Sequence, residues 1–348
     1  MNDDKISKAR TIIGENQDED YILRPLDHEK LFSPEVPEFA SVFADSEVQG
    51  IAKQYDAYDK EAISAQNSFK SYSKRAQWAV FLTACCSAAL LGVSILLGRP
   101  EDIVVARVLF ITLSLAAILF GTLATTWLRL IEGRRLLEEW MKQRANAEMR
   151  RLEYFNLITS RKPDDVASPD PTLFRLLQLE FFRRFQLDMQ INYYRGRGRA
   201  HGRFADKAVT MSSWALGGAG LATGFAGFLG SAVGPKWGAL AGFGMICQAL
   251  ATWILNKEAV NQDRRNQERY SRTYETLENL KMRLSKARKS IAGGNEEVLP
   301  KLVEAVHELV SLEHRQWTDD IGNASKAIGE LEQQLKELEK DTGAGSKK

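Results

Sequence analysis

The sequence predicts an all-α integral membrane protein: four transmembrane helices arranged as two hairpins, with long cytoplasmic helices forming a coiled-coil-like bundle. Three observations carry that prediction. The 348-residue chain holds 47 Lys and Arg and 45 Asp and Glu, yet none of these falls within residues 77–98, 108–128, 208–235 or 237–256. Each window accommodates the ~20 apolar residues that cross a bilayer core as helix. Lys and Arg concentrate at one end of each window, and apolar residues recur at heptad spacing beyond the last one. These features exclude a purely soluble enzyme, a secreted disulfide scaffold and a disordered chain.

Residues 1–45 form an acidic segment. The first fifty residues carry twelve acidic side chains against five basic ones, and Pro25, Pro34 and Pro37 interrupt any long helix. Such a segment either docks on the basic cytoplasmic helices or stays mobile. If it restrains those helices, deleting residues 1–45 raises toxicity on expression. Met1 to Lys5 carry no apolar core of a signal peptide, so the first span directs insertion.

Residues 46–163 make a first two-span unit and residues 164–341 a second, which ends in a C-terminal helical hairpin; residues 342–348 are a disordered tail. Lys70, Lys74 and Arg75 precede the first span, and Arg129, Arg134 and Arg135 follow the second. Arg203 and Lys207 precede the third, and Lys257, Arg264 and Arg265 follow the fourth. The two short connectors hold only Arg99 and Arg107 in one case and Lys236 in the other. Positive charge stays on the cytoplasmic side, so both termini face the cytoplasm, and the expected location is the inner (plasma) membrane.

The two units repeat. Gln54, Tyr58 and Trp78 are matched by Gln190, Tyr194 and Trp214, all offset by 136 residues, and Thr126-Trp127 with Glu132 is matched by Thr252-Trp253 with Glu258. Asp170 is placed to cap a helix beginning at Pro171. Tyr270, Thr273, Leu277, Leu280, Leu284, Ala287 and Ile291 alternate steps of three and four, a heptad seam. Gly293-Gly294 stop that helix, and a second seam runs through Trp317, Ile321, Ala324, Ile328, Leu331, Leu335 and Leu338. The seams form either an antiparallel hairpin or an intermolecular bundle.

No constellation for catalysis stands out, no cofactor is expected, and the chain reads as a non-enzyme. Cys85, Cys86 and Cys247 lie inside spans as small apolar packing residues. His307 and His314 are seven apart, not the four that let two histidines share a zinc. No carboxylate lies inside a span, which disfavours ion-coupled transport.

Small residues mark the last two spans. Ala222, Ala226, Gly230 and Gly234 recur every fourth position, Gly220 and Gly224 form a second pair, and Gly238 and Gly242 a third. Such spacing brings helix backbones close in lipid, serving packing within a hairpin, an oligomeric interface or a pore lining. Arg195, Arg197, Arg199 and Arg203, interleaved with glycine, could contact an anionic lipid or another phosphate, although arginine there also suits topology. Acidic residues interspersed through the cytoplasmic helices argue against nucleic acid as a partner.

The Gln-x-x-x-Tyr pairs Gln54/Tyr58 and Gln190/Tyr194 ahead of two-span hairpins, with Leu309, Glu313, His314 and Trp317 on the later helix, resemble the SLATT domains. These are SMODS- and SLOG-associating two-transmembrane effector domains of bacterial conflict systems, here in two tandem copies. The resemblance implies an antiphage membrane effector that oligomerises and opens a pore or disrupts the membrane, triggered by a separate nucleotide-sensing or signal-producing protein. The alternative is a non-conducting scaffold or sensor that recruits a partner through its cytoplasmic bundle.

Overall fold

The computed structural model describes residues 2–97, 104–319 and 333, and every regular element among them is helical. In chain order these are α1 (Asn2–Ile13), α2 (Pro25–Phe32), α3 (Pro37–Ala44), α4 (Ser46–Leu97), α5 (Val104–Gly133) and α6 (Leu136–Ser160). There follow α7 (Pro171–Phe182), α8 (Met189–Ala232), α9 (Leu240–Asn261), α10 (Asp263–Met282), α11 (Leu284–Ala292) and α12 (Val298–Asp319). Four continuous stretches, Ser46–Leu97, Val104–Ser160, Pro171–Ala232 and Pro235–Ala292, are long and apolar enough to cross a membrane.

The chain divides into two units. The first comprises Met1–Ala65, Glu138–Ala200 and Asn266–Asp319. Its core gathers Phe32, Phe39 and Phe43 from α2 and α3, Tyr154, Phe155 and Ile158 from α6, and Phe174, Phe181 and Phe182 from α7. Phe43 and Phe181 lie 5.0 Å apart centre to centre, and Phe39 meets Phe174 at 5.8 Å. The acidic N-terminal segment is therefore docked as three short helices, with Ala9, Ile13, Phe32 and Phe43 fully buried. Its prolines sit in first turns, at Pro25 and Pro37, where the missing N–H costs nothing. Because these rings are core, deleting residues 1–45 uncovers Phe174, Phe181 and Phe185, so the deletion destroys a core instead of releasing a detachable restraint.

The start of α7 follows its sequence. Asp170 accepts a hydrogen bond from the Leu173 amide at 3.1 Å, with Pro171 in the first turn, and Lys5 of α1 donates to the same carboxylate at 2.8 Å. Burial nudges that carboxyl upward, but Lys5 and the Leu173 amide outweigh it and hold Asp170 below the usual carboxylate range. The seam on α10 and α11 is spent inside one chain: Leu277, Leu284, Ala287 and Ile291 are buried in the same core, where α11 packs on α1, α7 and α12. Gly294, at φ +92°, supplies the left-handed turn behind α11. The second seam, from Trp317 to Leu338, lies outside the residues whose side chains are described, as does the tail 342–348.

The second unit comprises Gln66–Leu137 and His201–Arg265. Within it α4 packs on α5 through Ala76, Ala79, Val80, Ala124 and Leu128. Each outgoing helix is interrupted by one non-glycine residue in the left-handed region: Arg135 (φ 46°), after α5, and Gln262 (φ 52°), after α9. They stand three residues after Glu132 and four after Glu258, which are matched in the repeat. At the second break the Glu258 carbonyl accepts from the Gln262 amide at 2.7 Å, and its side chain accepts from the Arg264 amide at 3.1 Å. One glutamate thus ends α9 and caps α10.

Candidate functional site

The small residues of α8 and α9 fall on different faces. Ser212, Ala215, Ala222 and Ala226 are buried on one face of α8. Against this helix stands Gly244 of α9; a Cβ there would lie 2.6 Å from the Thr223 hydroxyl and 3.2 Å from the Ala219 carbonyl oxygen. Gly242 turns to α4, where a Cβ would meet the Ala88 carbonyl oxygen at 2.9 Å and Gly92 at 3.3 Å. Gly238 approaches the Ile95 side chain, at 3.7 Å from a Cβ, and Gly230 approaches the Gly238 amide at 3.8 Å. The fourth span is thus held closely by both the first and the third, through backbone contacts that only glycine permits.

Gly220 and Gly224 have no neighbour within 4 Å of a Cβ, and neither have Gly217 and Gly227. Steps of three, four and three put all four on one open face of α8. Trp214, Leu221, Phe225 and Phe228 stand beside them, between 55% and 80% exposed. Gly234 sits at the end of α8 with φ +150°, ahead of the short 3₁₀ turn Pro235–Ala239. Sequence spacing set Gly220 and Gly224 apart from Ala222, Ala226, Gly230 and Gly234 but left packing, interface and pore lining open for both sets. Only the rotation of α8 against α9 separates the packed face from the open one, and Gly217 and Gly227 escape notice without it.

The arginine cluster at the start of α8 is also divided. Arg195 donates to the Tyr274 hydroxyl at 3.1 Å and to Glu278 at 2.9 Å, and lies over the Tyr274 ring, so it ties α8 to α10. Arg197 lies over the Tyr193 ring at 5.7 Å. Arg197, Arg199 and Arg203 are exposed.

Sequence reading missed a second pair of arginines. Between α7 and α8 the helix widens into a π turn, Arg183–Asp188, with all six residues buried. Arg184 makes a bidentate pair with Asp20, at 2.9 and 3.1 Å, and also donates to the Ile13 carbonyl. Arg183 pairs with Glu180 at 2.7 Å, Asp188 at 2.8 Å and Glu15 at 3.1 Å, and donates to the Gly14 carbonyl. Burial pulls the Arg183 pKa down, but these carboxylates together outweigh it and raise it above the usual arginine value. Gly14 is required twice: its φ is +72°, and a Cβ would stand 3.3 Å from an Arg184 nitrogen. Asn16 donates to the Arg184 carbonyl at 3.0 Å, so part of the π turn is hydrogen-bonded from outside the helix. Beside it His28 is caged by Phe43, Phe181 and Phe185 and paired with the Tyr154 hydroxyl at 3.1 Å. Burial lowers its pKa to about 4.

Residues 182–317 match the family model of the SMODS and SLOG-associating 2TM effector domain 1. This stretch is similar to the SLATT domains. No curated protein and no solved structure matches the chain. The SLATT match opens at the π turn, takes in both α8 and α9, and closes near the end of α12, so it holds two candidate spans together with α10 and α11. The matched model describes a two-transmembrane effector domain, and together with the four candidate spans this similarity supports membrane insertion and a general effector role.

Proposed function

We propose that the protein is a defence effector whose subunits associate through the open glycine face of α8 and permeabilise the inner membrane when a separate nucleotide-linked sensor triggers it. Both termini lie in the cytoplasm, and two hairpins cross the bilayer. Residues 46–163 form a degenerate second copy of the SLATT unit, a reading supported by the 136-residue offset of its landmarks and the matched breaks at Arg135 and Gln262.

One observation carries the assembly: Gly217, Gly220, Gly224 and Gly227 share a face on which a Cβ would meet nothing within 4 Å among the described residues. Glycine in a helix interior costs about 1 kcal/mol relative to alanine in soluble hosts, and a lipid tail gains nothing from a missing side chain. A face of this kind suits the close backbone of another helix, and the matching face of a second subunit is the simplest source. The seam on α10 and α11 is occupied by the chain's own core, so we assign the assembly to the spans.

The test is chemical cross-linking in vesicles. Wild-type chain should cross-link into a ladder of defined size, and Gly224→Leu should leave monomer while remaining inserted and protease-protected. Gly224 is a better probe than Gly230, because Leu at 230 would also press on the Gly238 turn. A full ladder in Gly224→Leu would remove α8 from the interface. If the chain stays monomeric in wild type, the fully folded first unit favours the scaffold reading, in which the spans anchor a surface for a partner.

A further inference from the structure

Within the second unit, α4 and α5 enclose a half-open cleft of about 370 Å³, within the size range of small-ligand pockets. It arises where the close alanine packing of these helices gives way to rings. Leu82, Phe120 and Leu123 line it together with the indoles of Trp78 and Trp127. At one end stand Ser71, Lys74 and Arg75. These polar residues lie just ahead of the charge-free window that begins at residue 77. Along α4 the lining therefore passes from the polar Ser71, Lys74 and Arg75 to the apolar Leu82.

The charge at the mouth is uncommitted. Lys74 and Arg75 are exposed, neither pairs with a carboxylate among the described residues, and Arg75 only approaches the Tyr72 ring at 6.0 Å. Topology alone does not explain the pair. At the 136-residue offset the third span has Thr210 and Met211 in their places and is oriented by Arg203 and Lys207 farther out. In the register of the repeat, the third span thus has no basic residue at the positions of Lys74 and Arg75.

We infer that the cleft binds an anionic phospholipid. The lipid phosphate sits between Lys74 and Arg75 with the Ser71 hydroxyl donating to it, and one acyl chain lies over Leu82, Phe120 and Leu123. Basic pockets between spans recognise anionic headgroups by such charge complementarity, and the indole rings suit the interface level. The inference rests on membrane insertion of α4 and α5 but not on pore formation.

The full chain is reconstituted into phosphatidylcholine vesicles and insertion is checked by protease protection. A small fraction of lipid is then replaced by phosphatidylglycerol or phosphatidylcholine with brominated acyl chains, which quench nearby tryptophan. Brominated phosphatidylglycerol should quench more than brominated phosphatidylcholine. In Lys74→Gln/Arg75→Gln the mole fraction needed for half of that excess should rise about tenfold. Lys207→Gln/Lys236→Gln, which loses the same charge elsewhere, should keep the excess, and Lys74→Arg/Arg75→Lys should keep it too. Trp78→Phe/Trp127→Phe should remove most of it. Equal quenching by the two lipids in wild type, or an excess that survives in Lys74→Gln/Arg75→Gln, would overturn the site. Relief of the excess by millimolar inorganic phosphate would also overturn it, because the mouth would then take a free anion without the lipid.

Discussion

At the residue scale, one amino-acid type performs opposite tasks in neighbouring helices. Gly242 exists to let a backbone in: an added methyl would stand 2.9 Å from the Ala88 carbonyl oxygen, which belongs to a helix and cannot rotate away. Gly242→Ala should therefore lower stability by about 1–3 kcal/mol, as overpacking does, while Gly224→Ala, facing open space, should raise it by up to about 1 kcal/mol through helix propensity. Thermal unfolding of both variants in detergent checks the contrast. The buried pair Arg184–Asp20 is a second sharp case. Removing one partner strands a desolvated charge, so Asp20→Asn should cost about 3–5 kcal/mol, and Asp20→Leu/Arg184→Met should recover much of that loss. His28 sets a pH response. Its folded pKa of about 4 lies below the unfolded value of 6.5, mainly through burial, so only the unfolded chain takes a proton as pH falls between these values. The contribution of His28 to the stability of the first unit is thus complete above pH 6.5 and declines toward pH 4, and His307, which burial also lowers to about 4, acts in the same window. His28→Phe should reduce that decline, and His28→Phe with His307→Phe should flatten it further, in chemical denaturation measured at pH 7 and pH 5. None of these partners is legible from spacing: the acidic run at 15–20 and the arginines at 183–184 lie more than 160 residues apart.

At the scale of elements, local chemistry was readable wherever it is local. The cap at Asp170, the proline starts of α2 and α3 and the glycine stop after α11 all follow from neighbours in sequence. Asp170→Ala should destabilise the first unit by about 1 kcal/mol for the lost cap, and by slightly more through the Lys5 pair, as denaturation would show. The heptad seam was equally legible as a pattern, but a seam does not name its partner. Leu277, Leu284 and Ile291 meet the chain's own helices, because the docked N-terminal helices and α7 complete that core. The π turn gives no pattern at all. It adds one residue to a helical turn that still reads as helix, and its stabilising contacts come from Asn16 and Asp20. The breaks at Arg135 and Gln262 were hidden for a similar reason, since neither residue prefers the left-handed region. The glutamates matched in the repeat reveal them only once the backbone is seen. The N-terminal segment follows the same logic: without residues 1–45, Phe174, Phe181 and Phe185 lose their cover, so the truncated chain should be degraded or aggregated on expression.

At the scale of the whole molecule, the charge-free windows coincide with four candidate spans, and residues 182–317 are similar to a SLATT effector domain. Charge asymmetry and repeat spacing support the cytoplasmic termini and the second, degenerate copy. What the sequence could not separate is which small residues are packed within the chain and which are open. The geometry makes that division: Gly242 and Gly244 are occupied, while Gly217, Gly220, Gly224 and Gly227 are open. The proposal that this open face builds a conducting assembly meets its most direct test in a planar bilayer. Current is recorded across it with purified full-length chain, with and without cytoplasmic lysate of a phage-infected host. We predict discrete openings that the lysate makes more frequent and that Gly224→Leu abolishes. A silent bilayer with insertion verified under both conditions, or openings unchanged in Gly224→Leu, would contradict the account.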